Sequence, residues 1–321
     1  MREPRFLQLH ELAAAPLVAE ALAGLRATNA QLSPKFFYDA LGSRLFDAIT
    51  ELDEYYPTRT EAGILAANRD AIAAAVQAGV GAGATLIDLG AGNCEKAARL
   101  FESLQPARYV AVDISVEFLR AAIGCLQRQF PDLDMVGVGL DFSADLSLPA
   151  GLVQGPALVF YPGSSIGNFA PTAALELLRQ ARLLSAGGAL LIGVDLVKAE
   201  QTLVDAYDDP LGVTAAFNLN LLRHLNRLIG SDFALRQWRH VAVFDAVQSR
   251  IEMHLEARQA LTVRWPEAER HFAQGERIHT ENSYKWRSAD FQALLRDAGF
   301  GQVQEWTDSR GQFSVMLAQA G

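Results

Sequence analysis

The chain has 321 residues, of which 50% are apolar, and its formal net charge is −9 at pH 7. This length and apolar fraction suffice for two domains, or for one large domain with an insertion. The acidic balance and the lack of a basic run argue against a nucleic-acid partner. The sequence also has no apolar stretch of about 20 residues, which argues against a membrane span.

Two further absences in the sequence narrow the class of protein. The first ten residues, MREPRFLQLH, lack the apolar segment of a signal peptide. Two cysteines and six scattered histidines show none of the spacings typical of a zinc site or a disulfide framework. We therefore expect a cytoplasmic protein that binds no metal.

The first 60 residues are predicted to be mostly helical, with one helix opening at Ser33-Pro34, and the next helix is expected from Thr58 to Ala78. From Thr85 onward, short apolar runs alternate with helical stretches. The apolar runs are 85–89, 109–112, 134–138, 157–161 and 189–194. The helical stretches between them include 95–104, 116–130 and 171–184. This alternation predicts a parallel sheet with helices on both faces.

The pattern changes after residue 198. We expect helices over 199–230, paired antiparallel strands over 240–265, a helix over 288–298, and two final strands over 302–306 and 314–319. A C-terminal strand pair after five parallel strands is typical of the methyltransferase version of the doubly wound sheet. The sequence thus predicts an α/β domain from residues 62–196 and 286–321. A second, smaller α+β domain is expected from residues 1–61 and 197–285.

The first apolar run ends in Asp88-Leu-Gly90-Ala-Gly92. Glycines here allow a tight turn and the close approach of a ligand. A dinucleotide fingerprint, G-x-G-x-x-G, would need a third glycine where this chain has Glu95, and a pyrophosphate would meet that carboxylate. S-adenosylmethionine has no phosphate and does not need the third glycine. The turn therefore favours this cofactor over a dinucleotide, although the short motif also fits a plain strand-to-helix turn.

Acidic residues end the next two predicted strands. Asp113 is well placed to accept both ribose hydroxyls of a nucleoside, or to cap the following helix, which Ser115 could also do. Asp141 could accept from the adenine amino group while Phe142 stacks on the base, or the pair could be a turn acid beside a core ring. Lys96, one turn beyond the glycines, could pair with the methionine carboxylate or be a solvated helix residue.

The fourth predicted strand runs into Phe160-Tyr-Pro-Gly163-Ser-Ser-Ile-Gly-Asn168. A methyltransferase commonly places its acceptor at this strand end. The turn is small and polar and carries one amide side chain, which suits a compact polar substrate. As an alternative, Asn168 could cap the helix that begins near Pro171.

These residues and several further runs resemble the histidine Nα-methyltransferases of ergothioneine biosynthesis over nearly the full length of the chain. The most specific runs are Glu54-Tyr-Tyr-Pro-Thr-Arg59 and Gly163-Ser-Ser-Ile-Gly-Asn168. Others include Asp195-Leu-Val-Lys198, Ala206-Tyr-Asp-Asp209, Arg250-Ile-Glu-Met253 and Thr280-Glu-Asn-Ser283. The resemblance implies a class I S-adenosylmethionine-dependent fold with a smaller substrate-binding domain. It also implies trimethylation of the α-amine of L-histidine to hercynine.

The resemblance also implies a role for particular residues. Asn168 and Tyr207 would hold the substrate carboxylate, and Gly163 and Tyr38 would lie near the amine. The imidazole would be addressed by Tyr55, Glu281 and Ser283, with Met253 packing beside it, and Asn282 would also bind the substrate. The cofactor would be bound by Asp88, Gly90, Gly92, Lys96, Asp113, Asp141 and Phe142.

Several alternatives stay open at this point. Tyr55 and Tyr56 are adjacent, and the residues alone do not decide which ring faces the substrate. A relative acting on another amino acid such as tryptophan, a nicotinamide-dependent oxidoreductase and a catalytically silent binding fold are the competing hypotheses. We expect a monomer whose small-molecule partner is histidine, with no nucleic acid and no membrane.

Overall fold

The protein is described by a computed structural model that covers residues 2–9, 14–143 and 145–321. It divides into two compact units. The larger unit consists of Met1–His10, Pro57–Val197 and Lys285–Gly321. The smaller unit consists of Glu11–Tyr56 and Lys198–Tyr284.

The described residues contain strands at the following positions: β1 Arg5–Gln8, β2 Thr85–Leu89, β3 Arg108–Asp113, β4 Asp134–Gly139, β5 Ala157–Tyr161, β6 Ala189–Asp195, β7 Trp238–Asp245, β8 Arg250–Ala257, β9 Leu261–Trp265, β10 Ala268–Phe272, β11 Arg277–Tyr284, β12 Val303–Thr307 and β13 Phe313–Gln319.

The α-helices are α1 Ala14–Arg26, α2 Ala40–Thr50, α3 Tyr56–Ala67, α4 Arg69–Val80, α5 Glu95–Ala98, α6 Phe101–Leu104, α7 Val116–Gln129, α8 Pro171–Leu184, α9 Glu200–Asp205, α10 Val213–Leu228 and α11 Ser288–Asp297. Short 3-10 helices occupy Pro34–Phe37, Ser165–Asn168 and Leu235–Gln237. The helix expected over 58–78 is two helices that meet at Asn68, whose side-chain amide donates to the Ile64 carbonyl at 2.9 Å.

The larger unit contains an eight-stranded sheet with the order β1-β4-β3-β2-β5-β6-β13-β12. The strands from β1 to β6 in this order run parallel to their neighbours, whereas β13 is antiparallel to both β6 and β12. Neighbouring side chains on each strand enter different cores, as Leu86 and Ile87 do. Helices therefore cover both faces, and the doubly wound α/β fold predicted from the sequence is confirmed.

The strand order reverses at β2, which has β3 on one side and β5 on the other. The carboxyl ends of β2, β3, β4 and β5 therefore share one edge of the sheet. In open α/β sheets, ligands bind outside this edge at the reversal. The turns that follow these four strands are the ones in which the sequence places the cofactor and acceptor residues.

The N-terminal segment departs from expectation. Residues 1–60 were expected to be mostly helical and to belong to the second domain, but Arg5–Gln8 forms the edge strand β1, parallel to β4. Gly137 on β4 leaves the space for it, because a Cβ there would lie 2.6 Å from the Phe6 ring. Arg5 also donates to Asp134 at 3.3 Å. The pairing depends on a partner more than 120 residues away, which local periodicity cannot reveal.

The smaller unit contains a three-stranded antiparallel sheet, β11-β8-β7, and a separate hairpin of β9 and β10. One face of the three-stranded sheet contributes Ile251, Met253 and Leu255 to an apolar core. Helix α10 adds residues such as Phe217 and Leu221 to the same core. The antiparallel strands expected over 240–265 are therefore present in this unit.

A buried ion pair lies at the end of β6 in the larger unit. Lys285 donates to the Asp195 carboxylate at 2.7 Å, and each side chain is only 1% exposed. The Asp195 backbone N–H donates to the Ser164 hydroxyl at 2.8 Å, which connects the pair to the turn after β5. Removal of either residue therefore takes away the opposite charge that faces the other buried ion, which is destabilising.

We expect Lys285→Met to lower the free energy of unfolding by about 3 kcal/mol, because it leaves the Asp195 charge buried. Asp195→Asn combined with Lys285→Met should recover part of this loss, since no charge is then left in the core. Urea unfolding of the two variants measures both quantities. Arg179→Met, at an exposed position, is the matched control. A double variant less stable than Lys285→Met would contradict this account.

Candidate active site

The turn after β2 needs left-handed backbone at three nearby positions. Gly90, Gly92 and Cys94 have φ values of 71°, 52° and 64°. The amides of Gly90 and Ala91 both donate to the Val112 carbonyl, at 2.9 and 3.1 Å, and so hold the turn against the end of β3. Two of the three left-handed positions carry glycine, which adopts this conformation at no steric cost.

Asp113, at the end of β3, faces this turn. Its carboxylate accepts the backbone amides of Gly92, at 2.9 Å, and Ser115, at 2.8 Å. The Ser115 side chain makes no capping hydrogen bond. Asp113 therefore braces the glycine turn and the start of α7. An ionised carboxylate has about four acceptor positions, so these two bonds leave capacity for ribose hydroxyls.

The predicted adenine residues lie beside the same turn. A Cβ placed on Gly90 would lie 3.9 Å from the tip of the Phe142 ring, so the ring and the turn are close neighbours. Phe142 also packs edge-to-face on Tyr161, with ring centroids 5.8 Å apart. Asp141 accepts from the Ser143 amide at 3.1 Å. The turns after β2 and β4, distant in the sequence, thus form one surface.

Asp88 is a buried carboxylate beneath the turn and is 1% exposed. One carboxylate oxygen accepts from the Tyr109 hydroxyl at 2.7 Å, whereas the other is buried without a hydrogen-bond partner. Burial raises the pKa of Asp88 to about 7, although the hydrogen bond from Tyr109 lowers it. A cationic ligand at the turn would be attracted by the ionised form, and S-adenosylmethionine carries a sulfonium and an ammonium group. The residues present therefore fit this cofactor.

Lys96 is not a simple solvated helix residue. Its ammonium donates to the Glu61 carboxylate at 2.8 Å, and the other Glu61 oxygen accepts from the Gly163 amide at 2.7 Å. A Cβ on Gly163 would lie 2.9 Å from the Lys96 nitrogen. The structure thus brings together the turn after β2, called the cofactor turn for its predicted ligand, and the turn after β5, called the acceptor turn for the same reason. Sequence reasoning missed Glu61, whose only signal was its position two residues after the Glu54–Arg59 run.

The acceptor turn after β5 has its own strained geometry. Gly163 and Ser164 have φ values of 78° and 56°, and a 3-10 helix ends at Asn168. The residue that caps α8 is Ala170, and no side chain makes a capping bond there. The alternative role of Asn168 as the cap of this helix is therefore wrong.

In the smaller unit, the predicted substrate residues form one aromatic and polar cluster. Tyr38 packs edge-to-face on Phe46 at 5.9 Å, Phe46 packs on Tyr55 at 6.2 Å, and Tyr55 packs on Tyr207 at 6.2 Å. The hydroxyls of Tyr207 and Ser283 are 2.7 Å apart and buried. These four predicted residues, which span 245 positions, are therefore connected within one unit.

The adjacent tyrosines have different surroundings. The Lys198 ammonium lies 4.4 Å from the ring centroid of Tyr56 and donates to the Tyr56 hydroxyl at 2.7 Å. Tyr55 instead packs on Tyr207. Of the two rings, Tyr55 is the one in the cluster of predicted substrate residues.

A β-bulge turns Glu281 toward this cluster. Strand β11 pairs His279 with His254 but Glu281 with Met253, so Thr280 is the extra residue. Directly opposite residues share a face of the sheet, and bulges commonly re-aim a side chain. Glu281 therefore lies on the face of Met253, which is 2% exposed in the core.

Asn282 lies on the opposite face. It is paired with Glu252 on β8, and its side-chain oxygen is 2.9 Å from the His279 ring nitrogen Nε2. Because successive residues of a strand alternate between faces, its side chain does not share the face of Glu281 and Ser283. The prediction that the Asn282 side chain binds the substrate together with Glu281 and Ser283 is not supported by this geometry.

The described residues also bear on two expected absences. Within the described ranges, no group of three or more His, Cys, Asp or Glu side chains is arranged to hold a metal ion. No helix in the part of the chain that the structure describes is both long and apolar enough to cross a membrane.

The strand order, the glycine turn and the residues around it define a methyltransferase that uses S-adenosylmethionine. The sequence model of the family described as histidine-specific methyltransferase, SAM-dependent, matches residues 17–320. The chain belongs to this family, which confirms the resemblance and the cofactor predicted from the sequence.

Curated relatives cover most of the chain. It is 42% identical over 325 residues to the histidine N-alpha-methyltransferase of Mycolicibacterium smegmatis, covering 97% of this chain and 99% of that protein. It is 39% identical over 307 residues to the histidine N-alpha-methyltransferase of Mycobacterium tuberculosis, covering 93% of each. It is also 31% identical over 291 residues to ergothioneine biosynthesis protein 1 of Neurospora crassa, covering 86% of this chain and 32% of that protein.

The buried Asp88 carboxylate makes the stability of the cofactor-free protein depend on pH. Its folded-state pKa of about 7 lies above its ordinary value of 3.8, so the folded protein keeps a proton that the unfolded chain releases. The stability contribution therefore falls as the pH rises between about 4 and 7.

Asp88→Asn removes the titrating carboxyl group and with it the fall in stability at higher pH. The amide oxygen of asparagine can still accept from the Tyr109 hydroxyl. We expect it to stabilise the cofactor-free protein above pH 7 by up to about 4 kcal/mol, with the gain shrinking toward pH 4. Urea unfolding at several pH values measures the effect. The control is Asp132→Asn, at an exposed position. A stability difference that is constant with pH would refute the buried, protonated state of Asp88.

Proposed function

We propose that the protein transfers methyl groups from S-adenosylmethionine to the α-amine of L-histidine, three times in succession, and so forms hercynine. The observation that carries this proposal is the face that Glu281 and Ser283 share with Met253, beside Tyr55 and Tyr207. An imidazole offers one N–H donor and one acceptor when neutral. Glu281 can accept from the N–H, and the Ser283 hydroxyl can serve the other nitrogen.

This arrangement supports selectivity for histidine over other amino acids. A pocket that only packs against its substrate discriminates weakly. In contrast, Glu281 is a buried residue, 9% exposed, and a hydrogen bond that the substrate donates to a charged group of this kind contributes about 1.5–3 kcal/mol. A tryptophan substrate would offer an indole N–H to Glu281 but no ring nitrogen that accepts a hydrogen bond, whereas a neutral imidazole offers both. Histidine is therefore the favoured substrate.

The cofactor half of the reaction is assigned to residues of the larger unit. We assign Asp113 to the ribose hydroxyls, Asp141 and Phe142 to the adenine, and Lys96 to the methionine carboxylate. The glycines of the 88–92 turn allow the close approach of the ligand. Bound S-adenosylmethionine would supply a methyl carbon made electrophilic by the sulfonium sulfur to which it is attached, with S-adenosylhomocysteine as the leaving group.

The chain's contribution to the transfer is mainly positioning. The α-amine attacks only when it is unprotonated, and the positive charge of a nearby sulfonium favours the neutral amine over the ammonium form. Holding the amine lone pair in line with the methyl group can supply several orders of magnitude in rate. We assign Tyr38 and Gly163 to the amine, and Asn168 and Tyr207 to the substrate carboxylate. Gly163 has no side chain, which leaves room for the methyl groups as they accumulate.

Glu281→Ala should weaken histidine binding by about 10- to 100-fold, because a charge-assisted hydrogen bond to the imidazole is lost. The dissociation constant of S-adenosylmethionine should stay within about twofold. Titration calorimetry with each ligand measures both. Glu267→Ala, at an exposed position of the same unit, controls for loss of a carboxylate. Unchanged histidine affinity in Glu281→Ala would eliminate the role of Glu281 and the main support for the substrate.

The product distribution tests the number of transfers. With excess S-adenosylmethionine and a pool of amino acids, we expect mass spectrometry to find histidine carrying three methyl groups as the main product. Accumulation of singly methylated histidine would contradict the repeated transfer, whereas methylation of tryptophan in preference to histidine would contradict the substrate.

A further inference from the structure

Glu61 is a buried acidic side chain that contacts the acceptor turn. It lies on α3 of the larger unit and is 1% exposed. Each of its carboxylate oxygens has a separate partner. One accepts from the Gly163 amide at 2.7 Å, and the other accepts from the Lys96 ammonium at 2.8 Å. A single carboxylate thus bridges the residue at the start of the acceptor turn and a cation of the cofactor turn.

The sheet has space for this carboxylate because β6 carries a glycine where Glu61 approaches it. Gly193 lies in the middle of β6, and a Cβ built on it would lie 1.9 Å from a Glu61 oxygen. No real side chain could remain at that distance, so even alanine at this position would displace the carboxylate. The place that Glu61 occupies depends on glycine at 193, as well as on the two partners that it contacts.

The Lys96 ammonium depends on Glu61 for a fixed position. A lysine ammonium is a point charge at the end of a flexible four-carbon stem, and the Lys96 side chain is 32% exposed. Held by Glu61, its nitrogen lies beside Gly163, where a Cβ would be 2.9 Å away. An ammonium has three donors, and one bond to Glu61 leaves two for another anion.

We propose that Glu61 is a positioning residue that couples the two ligands of the reaction. It fixes the Lys96 ammonium for the cofactor carboxylate, and it fixes the Gly163 amide at the turn assigned to the acceptor amine. The second half rests on the proposed function, whereas the first half needs only the cofactor. Glu61 itself accepts hydrogen bonds from the protein and acts on the ligands through Lys96 and Gly163.

Glu61→Gln separates the two bonds. The amide oxygen of glutamine can still accept from the Gly163 N–H, but its NH₂ group would face another donor at Lys96. We expect the dissociation constant of S-adenosylmethionine, measured by calorimetry, to rise at least about tenfold, the size of one lost charge-assisted hydrogen bond. Glu102→Gln, at an exposed position of the same unit, should leave it unchanged.

A double-mutant cycle distinguishes positioning through Lys96 from a general structural role. If Glu61 acts on the cofactor through Lys96, then Lys96→Met alone should weaken cofactor binding about as much as Glu61→Gln. The combination of both should be no weaker than either alone, because interacting residues are non-additive. Effects that multiply in the double variant, or a Glu61→Gln affinity within about twofold of wild type, would overturn the proposal.

Gly193→Ala tests the same point without removing the carboxylate. The new methyl group displaces the Glu61 oxygen, so both the Lys96 and Gly163 bonds are disturbed. We expect weaker cofactor binding together with a fall in kcat for histidine, whereas Glu61→Gln should mainly affect the cofactor. Wild-type binding and turnover in a folded Gly193→Ala protein would count against the proposal. The proposed function can fail separately. If wild-type protein binds S-adenosylmethionine but does not methylate histidine, the proposed function is refuted, while the double-mutant cycle of Glu61 and Lys96 on cofactor binding still tests the positioning role.

Discussion

The carboxylate of Glu61 lies in the larger unit with the Gly163 amide on one oxygen and the Lys96 ammonium on the other. A buried ionised carboxylate is costly unless its charge and its acceptor positions are satisfied. The positions of three segments are therefore coupled. The helix α3 that carries Glu61, the turn after β2 that leads to Lys96, and the turn after β5 must be placed together. Gly193 on β6 completes the constraint, because it makes the space that the carboxylate fills.

The turns around this carboxylate show how a parallel sheet collects residues that are distant in sequence. Strands β2, β3, β4 and β5 are neighbours and end at one edge, so their turns meet there. Asp113 accepts a backbone amide of the glycine turn, and Phe142 lies beside Gly90. The same edge carries both the residues assigned to the cofactor and the small turn assigned to the acceptor. The proximity proposed for the two ligands is thus a consequence of strand order.

In the smaller unit, a single extra residue has a comparable effect. Without the bulge at Thr280, the alternation of β11 would place Glu281 on the face of His254, and Asn282 on the face of Met253. With the bulge, Glu281 and Ser283 face the core side, and Ser283 reaches Tyr207. The hydroxyl of Thr280 donates to the Met253 carbonyl at 3.0 Å and so ties the extra residue to β8. The face on which Glu281 lies, and with it the contact proposed for the imidazole, therefore depends on one irregularity in the strand pairing.

The sequence by itself determined the doubly wound sheet, the glycine turn, the cofactor class and the family, because these depend on local periodicity and on short runs such as those at 54–59 and 163–168. It did not determine the edge strand Arg5–Gln8, the contacts of Glu61 or the face of Asn282. Each of these depends on a partner far along the chain: β4 for the edge strand, Lys96 and Gly163 for Glu61, and β8 with its register shift for Asn282. Pairing register and side-chain burial are decided only when distant segments pack together, so the tertiary structure alone could assign them.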